Sequence, residues 1–478
     1  MSLKKKILNG IKWTSFSSFV LAVFYMFQLI ILARILGPEV YGIMAILTIV
    51  ISFSNLFVDM GMSKIIIHKQ DLITNEQLNT LYWLNILLAV FIYSCLFLAS
   101  SAIAIFYNNN DLEYLIQLIS LTFVIKSFAL QYNVILEKEL RFKTLEIINM
   151  FTAFLNFTIS LILALNNFEI YSLIYAVIIS SLINTLLLIY FGSNYHKVKF
   201  YFNFKEIKEF IPFGLYWTGS KSFGSFAHEL DIIIIGKVFD STTLGIYHIA
   251  KQLLSRPMQV IMPVVIKISY PLFGKIQTDL IKSKTYYLNI INLVSLIIVP
   301  IYIIIYLLAD EFITILFGMQ WVESTQITKN LVLYAILTSF STPIGSLIMA
   351  RGKANWNFWW NFFLIPYFSI VLVLSYQFGI EFVAIAISIA QVPLVVLSWK
   401  FMISKLINIS FVEYFKYISL YFTSSILIII LLNTMIYIQN TFLSKIITVI
   451  SYVILYIIFS LVINKITINK IKGLFSHV

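Results

Sequence analysis

WTSFSSFVLAVFYMFQLIILARIL, residues 13–36, decides the architecture. It is unbroken by Gly or Pro, carries one charge at its far end, and shows none of the strict apolar–polar alternation of a barrel strand. About twenty apolar residues in helical form cross the roughly 30 Å of a bilayer's hydrocarbon, so this segment is long enough to span it. Lys4, Lys5, Lys6 and Lys12 precede it. The run exceeds a signal-peptide core and no small-residue cleavage site follows, so the helix is expected to stay in the protein with its basic flank in the cytoplasm. Similar runs recur along the chain. Of 478 residues, 60% are hydrophobic and only 11% charged, too little polar surface for a water-soluble fold of this size. The expectation is an all-α polytopic membrane protein with spans near 13–36, 40–58, 81–106, 114–136, 146–166, 170–191, 210–236, 243–266, 286–308, 328–350, 356–376, 379–399, 414–436 and 443–463.

Charge orients these spans. With the N-terminus inside, 25 of the 33 Lys and Arg fall on the inner side and only Arg34, Lys237, Lys329 and Lys445 on the outer side. That bias predicts both termini in the cytoplasm and an even number of spans, as in a bacterial inner membrane. The net charge of +12 follows the loops and forms no single basic face, which argues against a nucleic-acid partner. Cys95 is the sole cysteine, which excludes an intramolecular disulfide or a thiolate metal site. Phosphate-cradling loops, paired histidines and serine elbows are missing, and no loop has room for a soluble catalytic domain. No cofactor, metal or enzymatic activity is expected.

The chain repeats itself. ILARILGPEVYGIMAI (31–46) is matched by IIGKVFDSTTLGIYHI (234–249), pairing Arg34 with Lys237, Gly42 with Gly245 and Ile43 with Ile246. Six spans separate the copies, so the halves should be parallel and related by an axis along the membrane normal. This predicts an N-lobe at 1–191, a cytoplasmic linker at 192–209, a C-lobe at 210–400, and two further helices with a tail at 401–478.

Charges inside spans are costly and mark function or pairing. Lys126 lies about ten residues, roughly 15 Å, from either end of its span, beyond easy snorkelling. Lys221 and Arg256 are similarly deep, and Lys251 is nearer the outer side. These four could line a basic chamber, or be neutralised in part by Glu229 and Asp231. Lys221, Ser225 and His228 share one face of the seventh span. The eighth carries His248, Lys251, Gln252, Ser255, Arg256 and Gln259, with Pro257 and Pro263 as candidate bending points. His228 with Glu229 or Asp231 could titrate and couple an ion, or form structural pairs. His68, His196 and His477 lie outside the spans and are expected to be solvated.

Five segments carry a family resemblance: ARILGPEVYG (33–42), NTLYWLN (79–85), EKELRF (137–142), ILFG (315–318) with Trp321, and PIGSLIMA (343–350). Their succession resembles the Wzx-type polysaccharide flippases, in the colanic-acid-exporter branch of the multidrug, oligosaccharidyl-lipid and polysaccharide exporter superfamily. The resemblance implies flipping of an undecaprenyl-diphosphate-linked oligosaccharide from the inner to the outer leaflet, for O-antigen, capsule or exopolysaccharide synthesis. It also implies alternating access of two six-helix lobes about a cationic cavity, surrounded by membrane lipids and working beside a polymerase and other assembly proteins. The family offers no fixed site to carry over, so Lys126, Lys221, Lys251 and Arg256 rest on burial logic alone. Two other classes remain open: a drug/cation antiporter of the same superfamily, which would favour acids in its cavity, and a membrane polymerase or ligase, which would usually carry a large outer loop.

Overall fold

A computed structural model describes residues 3–59, 66, 73–208, 210–276, 279–435 and 442–475. His68 and His477 lie outside them. Helices occupy the positions of all fourteen expected spans, and the described residues contain no strand. In chain order they are α1 (Leu3–Ile35), α2 (Pro38–Asp59), α3 (Asn75–Tyr107), α4 (Asp111–Lys138), α5 (Phe142–Leu165), α6 (Glu169–Gly192), α7 (Ile211–Val238), α8 (Ser241–Lys275), α9 (Leu280–Leu307), α10 (Ser324–Ala350), α11 (Ala354–Ser375), α12 (Ile380–Ser398), α13 (Phe411–Met435) and α14 (Phe442–Phe475). Among the described residues, twelve helices are long and apolar enough to cross a membrane. The two beyond that set are α7 and α8, which carry the polar stripes.

Helix ends follow local chemistry. Thr74 caps α3 by accepting from the Gln77 amide, while Gln77 Oε1 accepts from the Thr74 amide, a reciprocal capping box. Ser410 and Glu413 make the same arrangement at the start of α13, and Asp279 caps α9. The EKELRF segment is the α4–α5 turn, with Leu140 at φ 56° in the left-handed region. In the ILFG segment a π-helical turn, Phe312–Phe317, ends at Gly318 with φ 102°, which suits a residue without Cβ, and Trp321 is fully buried beside it. The eighth helix runs unbroken through Pro257 and Pro263 to Lys275, so part of the stretch expected as an inner loop is helical.

The chain forms two compact units, residues 1–248 with 361–366, and residues 249–360 with 367–478. In the first, α3 packs on α4, α4 on α6, α5 on α1 and α6, and α2 on α4 and α7. In the second, α10 packs on α9 and α12, while α9 also carries the C-terminal pair α13 and α14. Tyrosines fix that pair: Tyr421 donates to Asn292 Oδ1 at 2.8 Å and Tyr456 to the Leu296 carbonyl at 3.1 Å. In lipid, where apolar packing alone gives little preference for one helix partner over another, such bonds select the docking position.

The repeat has a structural counterpart within the first unit. A Cβ on Gly42 would collide with the Ser241 carbonyl oxygen, and a Cβ on Gly245 would collide with the Pro38 carbonyl oxygen. Both glycine–carbonyl contacts exchange under the 203-residue offset of the repeat, so the contact is reciprocal. Here the absence of a side chain is what allows the starts of α2 and α8 to touch.

Candidate functional site

The first unit holds two of the four expected cations. Lys126 sits mid-way along α4, exposed, and makes no hydrogen bond or ion pair among the described residues. The backbone there is tied across helices, since Thr185 on α6 donates to the Ile125 carbonyl at 3.1 Å. Elsewhere in this unit runs a ladder of neutral groups that hydropathy did not reveal. Gln28 donates to Asn156 at 2.9 Å, Asn156 to Ser180 at 3.1 Å, and Asn184 to Thr152 at 3.2 Å, stitching α1, α5 and α6 together. Amide and hydroxyl side chains satisfied this way are tolerable in hydrocarbon, and their only sequence signal is isolated Asn or Gln within apolar runs.

On α7, Lys221 and His228 both expose their side chains, and Ser225 is half-buried between them. His228 Nδ1 lies 3.6 Å from Glu229 Oε1. Asp231 is engaged differently: Oδ2 accepts from the Tyr247 hydroxyl at 2.7 Å and Oδ1 from the Ile232 amide at 2.8 Å. The carboxylate thereby ties α7 to the first turns of α8.

In the second unit the polar stripe of α8 is internally bonded. Arg256 donates through Nη2 to Gln252 Oε1 at 2.6 Å and through Nη1 to Gln259 Oε1 at 3.0 Å, and Gln259 donates to Ser255. Two amide acceptors, one turn before and one after, fix the plane of the guanidinium. Lys251, half-buried, is five residues earlier, about 140° around the helix. Two of the cations expected on the outer side have a plainer role. Lys329 and Lys445 converge on Asp310 at 2.9 and 3.2 Å, and Lys445 also meets Glu311 at 2.7 Å. Burial pushes the Asp310 carboxyl up, but the hydrogen bonds from Lys329 and Lys445 prevail and hold it below the usual carboxylate range.

His196 departs from expectation. It was expected to be solvated, yet it is only 7% exposed, and burial lowers its pKa, favouring the neutral ring. The cause is the segment in which it lies, which is pressed onto α3 rather than running through water. Among the described residues, no group of three His, Cys, Asp or Glu side chains is placed to hold a metal ion.

Comparison with known proteins gives this helical scaffold a family. The profile of a family described as polysaccharide biosynthesis proteins matches residues 31–326. The chain belongs to that family. It is 29% identical over 381 residues to the teichuronic acid biosynthesis protein TuaB of Bacillus subtilis, covering 79% of this chain and 78% of that one. It is 26% identical over 415 residues to the lipopolysaccharide biosynthesis protein WzxC of Escherichia coli K12, covering 87% and 84%. In fold it is similar to the lipid II flippase MurJ in an inward closed conformation, with TM-score 0.79 at 14% identity over 96% of this chain and 100% of that chain. An inward-facing MATE multidrug transporter of the MOP superfamily follows at TM-score 0.62 and 14% identity, over 81% and 94%. The protein is thus a multi-pass membrane protein of polysaccharide biosynthesis with the fold of MOP-superfamily transporters.

Proposed function

We propose that this protein flips an undecaprenyl-diphosphate-linked oligosaccharide repeat unit from the cytoplasmic to the outer leaflet of a bacterial inner membrane, supplying surface polysaccharide assembly. It does so with fourteen membrane crossings, both termini in the cytoplasm, and two six-helix lobes, 1–191 and 210–400, alternating access across the bilayer. A polymerase on the outer side is the partner that consumes its product. Transport needs no covalent step, so the protein is not an enzyme and its residues only bind and release.

The observation that carries this reading is Lys126, an exposed lysine in the middle of an apolar span. An ammonium at that depth is stable only if hydrated or matched by an anion. A lipid diphosphate supplies that match, and in a site of low dielectric the attraction is far stronger than in water. Lys221 contributes from α7, and Arg256, with its guanidinium held in plane by two glutamines, from α8. Lys251 acts nearer the outer mouth. His228 and Glu229, 3.6 Å apart, couple an ion or form a structural pair, and Asp231, which accepts from Tyr247, belongs to the same group. An antiporter for drug cations would be poorly served by so many cations within its spans.

The test is a deletion strain assayed for lipid-linked repeat units. Their accumulation on the cytoplasmic side, with loss of surface polysaccharide and recovery on complementation, is expected. Normal surface polysaccharide without accumulation, in a strain lacking any second flippase, would overturn the proposal.

A further inference from the structure

The segment between α6 and α7 is a strap. It leaves α6 at Gly192 through a turn at residues 193–195 and runs without regular structure to a short helical turn, Phe204–Ile207, capped by Asn203. The NTLYWLN segment at the start of α3 clasps it. Asn79 Oδ1 accepts from the Lys199 amide at 3.0 Å, and Thr80 Oγ1 from the Asn203 amide at 3.2 Å. Trp83 Nε1 donates to the Lys199 carbonyl at 3.1 Å, and Gln77 Nε2 to the Glu206 carbonyl at 3.3 Å. Val198 packs against Tyr82 and Tyr132, the Arg141 guanidinium sits 5.3 Å over the Tyr195 ring, and Phe200 meets Trp83 edge-on at 5.1 Å. Backbone groups that would otherwise need water are thus satisfied by side chains of the spans themselves.

What the strap exposes is at odds with a simple solvated loop. Phe200 is 90% exposed, Phe202 47% and Phe204 50%. Interleaved with them, Lys197, Lys199, Lys205 and Lys208 are also exposed. The only acid between residues 193 and 208 is Glu206, and its carboxylate is occupied locally, accepting from the Tyr201 hydroxyl at 2.6 Å and from Asn203 Nδ2 at 3.2 Å. Three bare phenylalanines are unfavourable in water. Four lysines against a single acid are unfavourable beside another cationic surface. Both are favourable at an anionic bilayer surface, where rings enter the acyl boundary and ammonium groups meet lipid phosphate. The location agrees: the strap is bonded to residues 77–83, within the first three turns of a helix that is long and apolar enough to span.

We propose that residues 195–208 form a membrane-surface anchor that binds the headgroups of anionic phospholipids through Lys197, Lys199, Lys205 and Lys208 and inserts Phe200, Phe202 and Phe204 beneath them. The NTLYWLN segment is then the clasp that holds the anchor at a fixed depth relative to α3. The occupant is bulk anionic lipid, not the transported lipid-linked sugar, so the inference stands apart from the identity of the cargo.

Native mass spectrometry of the purified full chain, titrated with phosphatidylglycerol or phosphatidylcholine, tests it. Preference for phosphatidylglycerol is expected, falling about fivefold for each lysine removed in K197Q, K199Q, K205Q, K208Q and their combination. Equal binding of the two lipids, or unchanged phosphatidylglycerol binding by the combined variant, would overturn the proposal. A second measurement leaves the lysines in place. An environment-sensitive dye on F202C in a C95S background should report an apolar setting in phosphatidylglycerol-containing vesicles and a wetter one in pure phosphatidylcholine. A dye in water in both vesicles would overturn the proposal equally, and would leave the strap as a surface for an acidic protein instead.

Discussion

Lys126 on α4 and Lys445 on α14 are both lysines in long apolar helices, yet the molecule treats them in opposite ways. Lys445 lies at the start of its span and is met by Asp310 and Glu311, with Lys329 completing a four-residue cluster. Lys126 lies at mid-span, exposed, and no described carboxylate comes within ion-pairing distance. A charge that serves structure is expected to bring its own counter-charge, because burying it alone costs several kcal/mol. A charge that serves a ligand has reason to leave the place for a counter-charge open. The contrast separates latch from site without reference to depth alone.

That distinction can be broken by substitution. The largest effect is expected for Lys126→Gln: export of repeat units, measured as surface polysaccharide, should fall by one to two orders of magnitude, about the worth of a charge-assisted hydrogen bond. Folded protein recovered in detergent should be unchanged, since no described side chain loses a counter-charge. Loss of folded protein in step with export would show that Lys126 is structural. Next come Gly42→Ala and Gly245→Ala, each of which drives a methyl into a backbone carbonyl and should cost roughly 1–3 kcal/mol by overpacking. Because the contact is reciprocal, the two should lower the melting temperature of the purified protein similarly. A harmless effect at one position and a severe one at the other would count against the pseudo-symmetry.

A smaller effect belongs to the latch. Asp310→Asn should lower stability by about 1 kcal/mol, since the carboxylate is partly exposed and solvent screens the pairs, while export stays near normal. Its pH dependence has a definite sign. The folded Asp310 carboxyl titrates below its ordinary value of 3.8, so its stabilisation is complete above that pH and is lost as pH falls through the folded value. Thermal melts of wild type and Asp310→Asn should converge under acid, and parallel curves throughout would contradict the latch. The smallest effect concerns the strap. His196 is held below its ordinary 6.5, so undocked chain takes up a proton more readily than docked chain. Docking is therefore strongest above that pH and weakens as pH falls below it. Hydrogen-exchange protection factors at residues 196–203, which remove the intrinsic pH dependence of exchange, should fall on mild acidification and lose that dependence in His196→Gln.

How much of this was legible in the sequence follows from what lipid demands. Residues 13–36 and their thirteen counterparts could be placed as helices because hydrocarbon leaves the backbone few alternatives, and the MOP-type fold followed from the succession of segments such as ARILGPEVYG and NTLYWLN. Hydropathy sees only side-chain polarity, so it could not show that Asn79, Thr80 and Trp83 bind another segment's backbone, nor that His196 would be buried under it. It also could not foresee Asp231 accepting from the Tyr247 hydroxyl, because such pairings depend on how two helices are rotated about their axes. Gly42 and Gly245 were visible as a repeated letter, but their purpose, admitting a carbonyl where a Cβ would stand, is a three-dimensional fact. The candidate cations were found by depth, and depth alone could not set Lys126 apart from the others.

The most direct measurement is binding of undecaprenyl diphosphate to purified wild type, Lys126→Gln and Lys445→Gln, by titration under one set of lipid and salt conditions. Wild type and Lys445→Gln should bind alike, and Lys126→Gln should bind about ten- to a hundredfold more weakly, the range of one charge-assisted hydrogen bond. Equal affinity for all three, or a loss at Lys445 with none at Lys126, would contradict the assignment of the mid-span lysine as the anion site.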